Sequence, residues 1–323
     1  MIQLNISIIT SDIINMTKIT FTREDGILRI KIDTPLQSSD AIDHELEQLI
    51  SDTTEDLVIR SGLTIEVNDR IFSHYLGKSI KLNNIVLSEI AIRYIPTWVE
   101  SFQTNAMQDS LELLKVQKLD ILAKDGQYID LPSTVTELVV RSQKGERRRI
   151  TINCTDNLEQ VSLIGDDIRI NLLNCNRLQH LSITGFRARV YGIQHYLTSL
   201  NVSNPVDRDY ILDFVNLKTL SSEGRFALTI DDIPDTVTAL YAELVDENGH
   251  YIHSSDILNR KPNIKSLYFQ EDTHENGDVS SAGYEAMEKY SDVDFIPPDY
   301  ATALTRKIIN SHNTFADIMR NLQ

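Results

Sequence analysis

One short apolar phrase recurs eight times between residues 116 and 269, and it constrains the fold more than any other feature of this chain. The phrase is an apolar residue, two others, a second apolar residue, one other and usually a third apolar residue, as in Leu178-Leu181-Ile183. The eight copies begin at Val116, Val135, Leu158, Leu178, Leu197, Leu217, Val237 and Ile264. Successive copies are about 20 residues apart, a spacing that is typical of a solenoid.

Each copy fits a short β-strand with one buried face, because alternate residues such as Leu181 and Ile183 point to the same side of a strand. A single strand cannot bury that face alone, so each repeat needs its neighbour stacked on it. The remaining dozen or so residues are expected to return the chain through an irregular or single-turn helical segment. The sequence therefore predicts parallel strands in a tightly coiled α/β solenoid.

Several copies resemble leucine-rich repeats, most clearly the segments 157–163, 177–183, 216–220 and 263–269. Segments 131–138 and 233–240 also place an apolar residue and Pro before the strand, which resembles the FNIP type of leucine-rich repeat. The resemblance covers the middle half of the chain and implies irregular leucine-rich-repeat-like units. The alternative is a buried sheet whose leucine spacing happens to repeat.

One feature departs from the leucine-rich-repeat pattern. Such repeats usually place an Asn three residues after the last apolar residue of the strand, where its side chain satisfies the turn backbone. Here that position holds Lys124, Gln143, Asp166, Phe186, Pro205, Arg225, Val245 and Asp272. We therefore expect an irregular coil without the asparagine ladder.

The repeat limits divide the chain into four segments. Residues 1–110 are expected to form a β-rich N-terminal cap or degenerate repeats, and residues 111–270 the solenoid. Residues 271–298 are predicted to be an acidic loop, because residues 270–300 hold nine acidic side chains against Lys289 alone. Residues 299–323 are predicted to be a C-terminal capping helix, since apolar residues recur there at helical spacing. An amphipathic helix that binds a partner is the alternative for this last segment.

Local signals give further predictions inside the N-terminal segment. The turn residues 23–26 lie between two alternating runs and indicate a hairpin, with a pair of degenerate repeats as the alternative. Residues 41–51 are predicted to be helical, with Ile42, Leu46 and Ile50 on one face. Residues 57–65 and 87–92 are further strand candidates, and residues 98–114 suggest a helical segment.

Composition and charge limit the cellular compartment and the kinds of partner that we expect for this protein. The net charge of −16 disfavours non-specific binding to nucleic acid, and no apolar run is long enough to span a membrane. The first 16 residues hold no Lys or Arg and no small-residue cleavage site, so we expect a cytoplasmic protein, with the nucleus possible. Cys154 and Cys175 lie one repeat apart, so a disulfide is conceivable, but two reduced thiols fit a cytosolic protein better.

The search for catalytic motifs argues against an enzyme. The sequence holds no phosphate-binding loop, no dinucleotide fingerprint, no zinc-protease helix and no nucleophile elbow, so we expect no cofactor and no metal. His250 and His253 flank Asn248-Gly249, which indicates a solvated turn more than a metal site. An unrecognised hydrolase or transferase, with His180 or His250 as its base, is one alternative.

The outward positions of the repeated strands are the candidate functional surface. Residues between the apolar positions form columns on the concave strand face, and tyrosines beside carboxylates stand at the C-terminal end of that face. Rigid tyrosines flanked by carboxylates suit recognition of a protein partner, in particular a basic one. The sequence thus predicts a non-catalytic scaffold or adaptor whose partner-binding residues are His180, Glu223, Tyr241, Glu243 and Tyr268.

A basic run between two copies of the phrase supplies the second alternative. It contains Arg141, Lys144, Arg147, Arg148 and Arg149. Such a run can bind phosphate or nucleic acid, although no aromatic residue interleaves it. A solvated return loop is the simpler interpretation of the same residues.

Overall fold

The computed structural model is a parallel β-solenoid with a period of about 20 residues and few helices. It describes residues 18–33, 39–105, 110–123, 125–142, 148–166, 168–185, 188–193, 195–202, 211–222, 228–268 and 281–296. The chain divides into two compact units. The first unit comprises residues 1–164 with 168–177, and the second comprises residues 165–167 with 178–323.

The first unit contains eleven described strands, two helices and one 3-10 turn. The strands are β1 (Lys18–Glu24), β2 (Ile27–Asp33), β3 (Asp56–Val67), β4 (Ser79–Leu87), β5 (Ser101–Thr104), β6 (Lys118–Leu122), β7 (Tyr128–Asp130), β8 (Glu137–Arg141), β9 (Arg148–Asn153), β10 (Gln160–Ile164) and β11 (Ile168–Leu173). The helices are α1 (Ser39–Ile50) and α2 (Glu89–Arg93), and the 3-10 turn is Leu111–Leu113. Strands β2, β3, β4, β5, β6, β8 and β10 follow one another as parallel neighbours in one sheet.

The N-terminal hairpin and the first helix are confirmed. Strands β1 and β2 pair antiparallel, and the turn residues Asp25 and Gly26 both have positive φ, 52° and 74°. Two consecutive positive φ values match a type I′ turn, whose twist suits a two-residue hairpin. This antiparallel pairing excludes the alternative of two degenerate repeats. In α1, Ile42, Leu46 and Ile50 are buried, as their spacing predicts.

Two local predictions in the first unit are wrong. Residues 87–92 are not a strand, because β4 ends at Leu87 and Ser88 caps α2 by accepting a hydrogen bond from the backbone N–H of Ala91 at 3.2 Å. Where the structure describes residues 98–114 they do not form one helix, because Phe102 lies in β5 between Ile80 and Leu119 of the neighbouring strands and only Leu111–Leu113 form a 3-10 turn. Burying Phe102 in that row of the core outweighs the helical spacing.

A second sheet closes the coils of the first unit, where the sequence predicted irregular or helical returns. Strands β7, β9 and β11 pair in parallel. Their inward residues are apolar and buried, and they include Ile150 and Ile152 in β9 and Ile168, Ile170 and Leu172 in β11. The return segments therefore bury an alternating apolar face of their own against the core.

Three side-chain amides each bind a carbonyl of the preceding coil, at a position that the sequence comparison with leucine-rich repeats did not predict, but they do not form a continuous ladder. In the first unit the amide of Asn157 donates to the carbonyl of Ser133 at 2.7 Å. In the second unit Asn216 donates to His195 at 2.7 Å and Asn263 to Asp235 at 3.0 Å. Each Asn directly precedes the first apolar residue of a phrase, on the other side of the strand from the position that leucine-rich repeats use.

The two cysteines form a disulfide, so the expectation of two reduced thiols is wrong. Cys154 follows β9 and Cys175 follows β11, with their Cα atoms 5.4 Å apart. The parallel register of β9 and β11 pairs Asn153 with Leu173, so the ends of the two strands lie at the same edge of the sheet. The disulfide therefore links neighbouring coils of the first unit.

The second unit contains seven described strands, two helices and one 3-10 turn. The strands are β12 (His180–Thr184), β13 (Arg189–Tyr191), β14 (Ser199–Val202), β15 (Thr219–Ser222), β16 (Ala239–Tyr241), β17 (Ser266–Tyr268) and β18 (Asp294–Ile296). The helices are α3 (Ser254–Arg260) and α4 (Ser281–Lys289), and the 3-10 turn is Ile230–Asp232. Strands β12, β14, β15, β16, β17 and β18 are parallel neighbours, and the second apolar residue of each copy, such as Leu220 or Leu240, is fully buried.

The C-terminal segments differ from their prediction where the structure describes them. Residues 271–298 were expected to form a loop, yet α4 and β18 lie within them. Strand β18 extends the sheet because Leu267 pairs with Phe295 and Tyr268 with Ile296. The predicted capping helix over residues 299–323 lies outside the described residues.

Candidate partner-binding face

The strand register of the second unit assembles the outward columns that the sequence predicts. Parallel pairing without a shift aligns His180, Ser199, Thr219, Ala239 and Ser266 in one row. The next outward row holds Ser182, Asn201, Ser221 and Tyr241. Because side chains alternate between the two faces of a strand, both rows point away from the leucine core. The outward rows of the second unit are thus set by the apolar phrase itself.

Tyr241 and Tyr268 occupy the C-terminal end of the second row. Leu240 pairs with Leu267, so the following residues of β16 and β17 are the two tyrosines, on adjacent strands. The hydroxyl of Tyr241 shares a hydrogen bond with the Ser266 hydroxyl at 3.1 Å. Both rings are half-buried, and Tyr268 pairs onward with the buried Ile296. The result is a supported aromatic surface rather than two free side chains.

Glu243 contributes its carboxylate just beyond the end of β16. Its Oε2 atom accepts a hydrogen bond of 3.2 Å from the hydroxyl of Tyr251, a residue that is 55% exposed. Tyr251 lies outside the repeated phrase and was missed by the sequence reasoning. The turn signal Asn248-Gly249 could have indicated it. Asp246 accepts hydrogen bonds of 2.8 Å from the N–H groups of Asn248 and His250. The chain then turns back, so that Tyr251 pairs with Val245.

The other predicted partner-binding residues are not part of this cluster. His180 opens the first row on β12, three strands from Tyr241 on β16, which is about 14 Å at the usual strand spacing. Glu223 lies outside the described residues. Of the five predicted residues, the register places Tyr241 and Tyr268 on adjacent strands, and Glu243, two residues after Tyr241, is bound by Tyr251.

The arginine run is divided between the two sheets of the first unit. Arg141 ends β8, and its guanidinium makes a bidentate contact of 2.8 to 3.0 Å with Asp120, whose side chain is completely buried. Burial raises the pKa of Asp120, while the bonded guanidinium of Arg141 opposes that shift. Arg148 and Arg149 open β9 in the second sheet, and the N–H of Arg149 is held by Asp125 at 2.7 Å. Lys144 and Arg147 lie outside the described residues.

Among the residues that the structure describes, no three His, Cys, Asp or Glu side chains are grouped to hold a metal ion. His250 lies in the turn closed by Asp246, in agreement with the interpretation of that segment as a turn. Within the same described ranges, none of the helices combines the length and the apolar character needed to cross a bilayer.

Comparison of the chain with protein-family models, with curated proteins and with solved structures finds no match. The fold class shown by the structure itself is the parallel β-solenoid.

Proposed function

We propose that this protein is a non-catalytic scaffold or adaptor that binds a protein partner on the strand face of its second unit. The contact surface is the cluster of Tyr241, Tyr268, Glu243 and Tyr251. The observation that carries the proposal is the placement of two tyrosines side by side on adjacent strands, followed closely in the chain by the hydrogen-bonded pair of Glu243 and Tyr251. Solenoids are suited to this role because stacked strands present long, rigid binding surfaces.

The chemistry of the cluster favours a partner with an aromatic or aliphatic anchor and a nearby basic group. Tyrosines contribute large contact area with little loss of side-chain entropy, and they are enriched among the residues that dominate binding energy. The hydrogen bonds from Tyr241 to Ser266 and from Tyr251 to Glu243 hold the side chains before a partner arrives. A preorganised surface loses less entropy on binding. The net charge of −16 adds long-range attraction for a basic partner.

The proposal includes a more specific class for the repeated units of the fold. We infer that the coils are irregular leucine-rich-repeat-like units, some of the FNIP type, on the strength of segments 131–138 and 233–240. The cytoplasm is the compartment expected from the N-terminal sequence. The Cys154–Cys175 disulfide is of a kind that persists in oxidising compartments, so the redox state of this pair in cells tests the compartment directly.

Two alternatives are less well supported. The hydrolase or transferase alternative takes His180 or His250 as its base, and His250 lies with Asp246 in an exposed turn. The phosphate-loop alternative needs one continuous basic loop, and Arg141 and Arg149 stand on different sheets.

The experiment is quantitative capture from native lysate by the full chain at two salt concentrations, read by mass spectrometry. A protein partner that binds the unaltered chain and withstands the higher salt is expected to be lost with the double variant Tyr241→Ala/Tyr268→Ala. Each truncation of a central interface tyrosine costs about 2 kcal/mol or more, so affinity measured with the purified partner should fall at least about 100-fold.

The matched control is Tyr128→Ala/Tyr284→Ala, which removes two tyrosines that are 57% and 62% exposed and belong to β7 and α4 rather than to the repeated strands of the cluster. It is expected to capture the partner as the unaltered chain does. Thermal unfolding of both variants checks that each is folded. A folded Tyr241/Tyr268 variant that keeps full affinity would contradict the site, and a partner that is lost from the control as well would contradict its specificity.

A further inference from the structure

Strand β1 of the first unit has one paired edge, and no described residue pairs with its other edge. Residues 18–24 pair with residues 27–33 of β2 in antiparallel register, and β1 stands at the end of the strand order. The pairing is regular over all seven residues, and β1 contains neither Pro nor a bulge. Natural sheets often protect a free edge by such interruptions, because its unpaired N–H and C=O groups can pair with another strand. The edge of β1 is therefore open to a further strand.

The apolar layer of the first unit continues onto β1 and is incompletely covered there. Residues that are opposite each other in an antiparallel pair point to the same face, so Ile19 and Phe21 share the face of Ile32 and Ile30. Ile30 and Ile32 are 1% and 0% exposed, whereas Ile19 and Phe21 are only half-buried. A strand added beside β1 would cover this apolar surface and also bind the free backbone groups.

The sequence of β1 is complementary to itself when two copies run antiparallel. With Phe21 opposite Phe21 of the second copy, all seven residues of each strand have a partner. Lys18 is then opposite Glu24 at both ends of the pairing, so opposite charges meet there. Thr20 is opposite Thr22, and the two phenylalanines meet at the centre. Pairs of opposite charge, of two threonines and of two aromatic residues each stabilise an antiparallel sheet.

The same sequence favours this register over its neighbours. Successive residues of a strand direct their N–H and C=O groups to opposite edges, so the smallest shift that restores the hydrogen bonds is two residues. Such a shift shortens the pairing in either direction and leaves no pair of opposite charges. The net charge of −16 repels two copies over the rest of their surfaces, which restricts association to a locally complementary contact.

We propose that this protein forms a symmetric homodimer in which the β1 strands of two copies pair antiparallel about Phe21. Such a dimer uses the same surface of both copies, as a two-fold axis requires. Backbone hydrogen bonds and the covered apolar surface supply the affinity, and the two pairs of Lys18 and Glu24 select the register. The contact lies in the first unit and involves none of the strands that carry Tyr241 and Tyr268.

The test is sedimentation velocity of the full chain from about 1 µM to about 300 µM, a range that covers the weak affinity of a small interface. An equilibrium between monomer and dimer is expected within this range. Glu24→Lys places two lysines opposite each other at both ends of the pairing and should weaken the dimer about tenfold. Adding Lys18→Glu to that variant restores both pairs of opposite charge and should return the dissociation constant to within about threefold of its original value.

The matched control is Glu159→Lys, which makes the same change of charge at an exposed residue beside β10, far along the sheet from β1. Both Glu24→Lys and Glu159→Lys reduce the net negative charge, so general repulsion between copies falls in both variants. Only the local pairing predicts that Glu24→Lys weakens the dimer. Unchanged dimerisation of Glu24→Lys, or equal weakening by Glu159→Lys, would overturn the proposal.

Hydrogen exchange by mass spectrometry at the two ends of the concentration range locates the contact without any substitution. Residues 18–24 are expected to exchange more slowly at the higher concentration, and residues 294–296 of β18 at the same rate. Protection of other strands in place of β1 would put the interface elsewhere and contradict the pairing. A chain that stays monomeric throughout, with β1 covered by another segment of the same chain such as residues 1–17, would overturn the homodimer.

Discussion

The two units of this solenoid share one strand phrase and differ in how the chain returns from it. In the first unit the returns include β7, β9 and β11, which form a sheet of their own. In the second unit the described returns include β13, but also the 3-10 turn Ile230–Asp232 and the helix α3. The repeated phrase therefore determines the strand on one side of each coil, and the residues between two copies determine the structure of the return segment.

The return residues explain the difference. Ile168, Ile170 and Leu172 alternate along β11 and suit an extended strand with one buried face. Ile257 and Leu258 are consecutive buried residues in α3, which an alternating strand would place on opposite faces. At the 3-10 turn, the Asp232 carboxylate accepts hydrogen bonds from the backbone N–H and from the hydroxyl of Thr229. This capping box favours the start of a helix. Each return thus follows its own local pattern.

The largest effect that separates the two units is expected at their ion pairs. Replacing Arg141 with Met leaves the carboxylate of Asp120 buried without its bidentate partner. Removal of one member of a buried pair lowers the free energy of unfolding by about 3 to 5 kcal/mol. Urea denaturation, followed by circular dichroism, measures the loss.

The second unit offers the matched control for this ion pair. Lys265 and Asp292 contact each other at 2.6 Å, but their side chains are 58% and 70% exposed. Since water screens an exposed pair, Lys265→Met is expected to cost no more than about 0.5 kcal/mol. Equal losses in Arg141→Met and Lys265→Met would contradict the difference in burial between the two pairs.

The disulfide gives the next effect, and it is expected to be confined to the first unit. Cys154 and Cys175 enclose a loop with a sequence separation of 21 residues. The double variant Cys154→Ser/Cys175→Ser should lose about 3 kcal/mol of stability, the amount that the chain-entropy model gives for a loop of this length. Hydrogen exchange by mass spectrometry should then show faster exchange in β9 and β11 than in the unaltered chain.

Peptides from β15, β16 and β17 serve as the internal reference for that measurement, because they belong to the second unit. Their exchange is expected to stay unchanged. A uniform increase across both units would contradict a local role for the disulfide. Dithiothreitol should reproduce the loss in the unaltered chain and have no effect on the double variant.

The smallest effect concerns pH, and the pH range in which it acts differs from one unit to the other. In the first unit burial lowers the pKa of Lys81 on β4 from 10.5 to about 8, so between these values the unfolded chain binds more protons than the folded one. Stability should therefore rise as pH increases from about 8 towards 10.5. Lys81→Met is expected to abolish this component of the rise, as measured by urea denaturation at pH 8 and pH 10.

In the second unit, the hydrogen bonds from Lys261 and Lys265 lower the pKa values of Asp235 and Asp292. Their small contribution to stability is present above the pKa of an unfolded aspartate and declines as pH falls below it. The variant Lys265→Met provides the control at alkaline pH, since it should leave the Lys81-dependent rise intact. An unchanged rise in Lys81→Met would contradict the assignment to Lys81.

Part of the candidate site could be predicted from the sequence, because it repeats the register of the core. Once Leu240 and Leu267 are aligned, Tyr241 and Tyr268 must be neighbours, since side chains alternate along every strand. Tyr251 could not be found in this way, because it returns to Glu243 through a turn outside the phrase.

The sequence by itself determined the period, the parallel strands and the outward rows of the solenoid, because burial of one leucine face in each coil requires stacked copies in register. The sequence also determined the hairpin and the first helix, because a turn signal and a helical apolar pattern depend on only a few neighbouring residues. Only the tertiary structure decided the second sheet, the Cys154–Cys175 disulfide and the pairing of Arg141 with Asp120. Each of these depends on which residues of neighbouring coils become adjacent, and adjacency is set by stacking rather than by the order of residues along the chain.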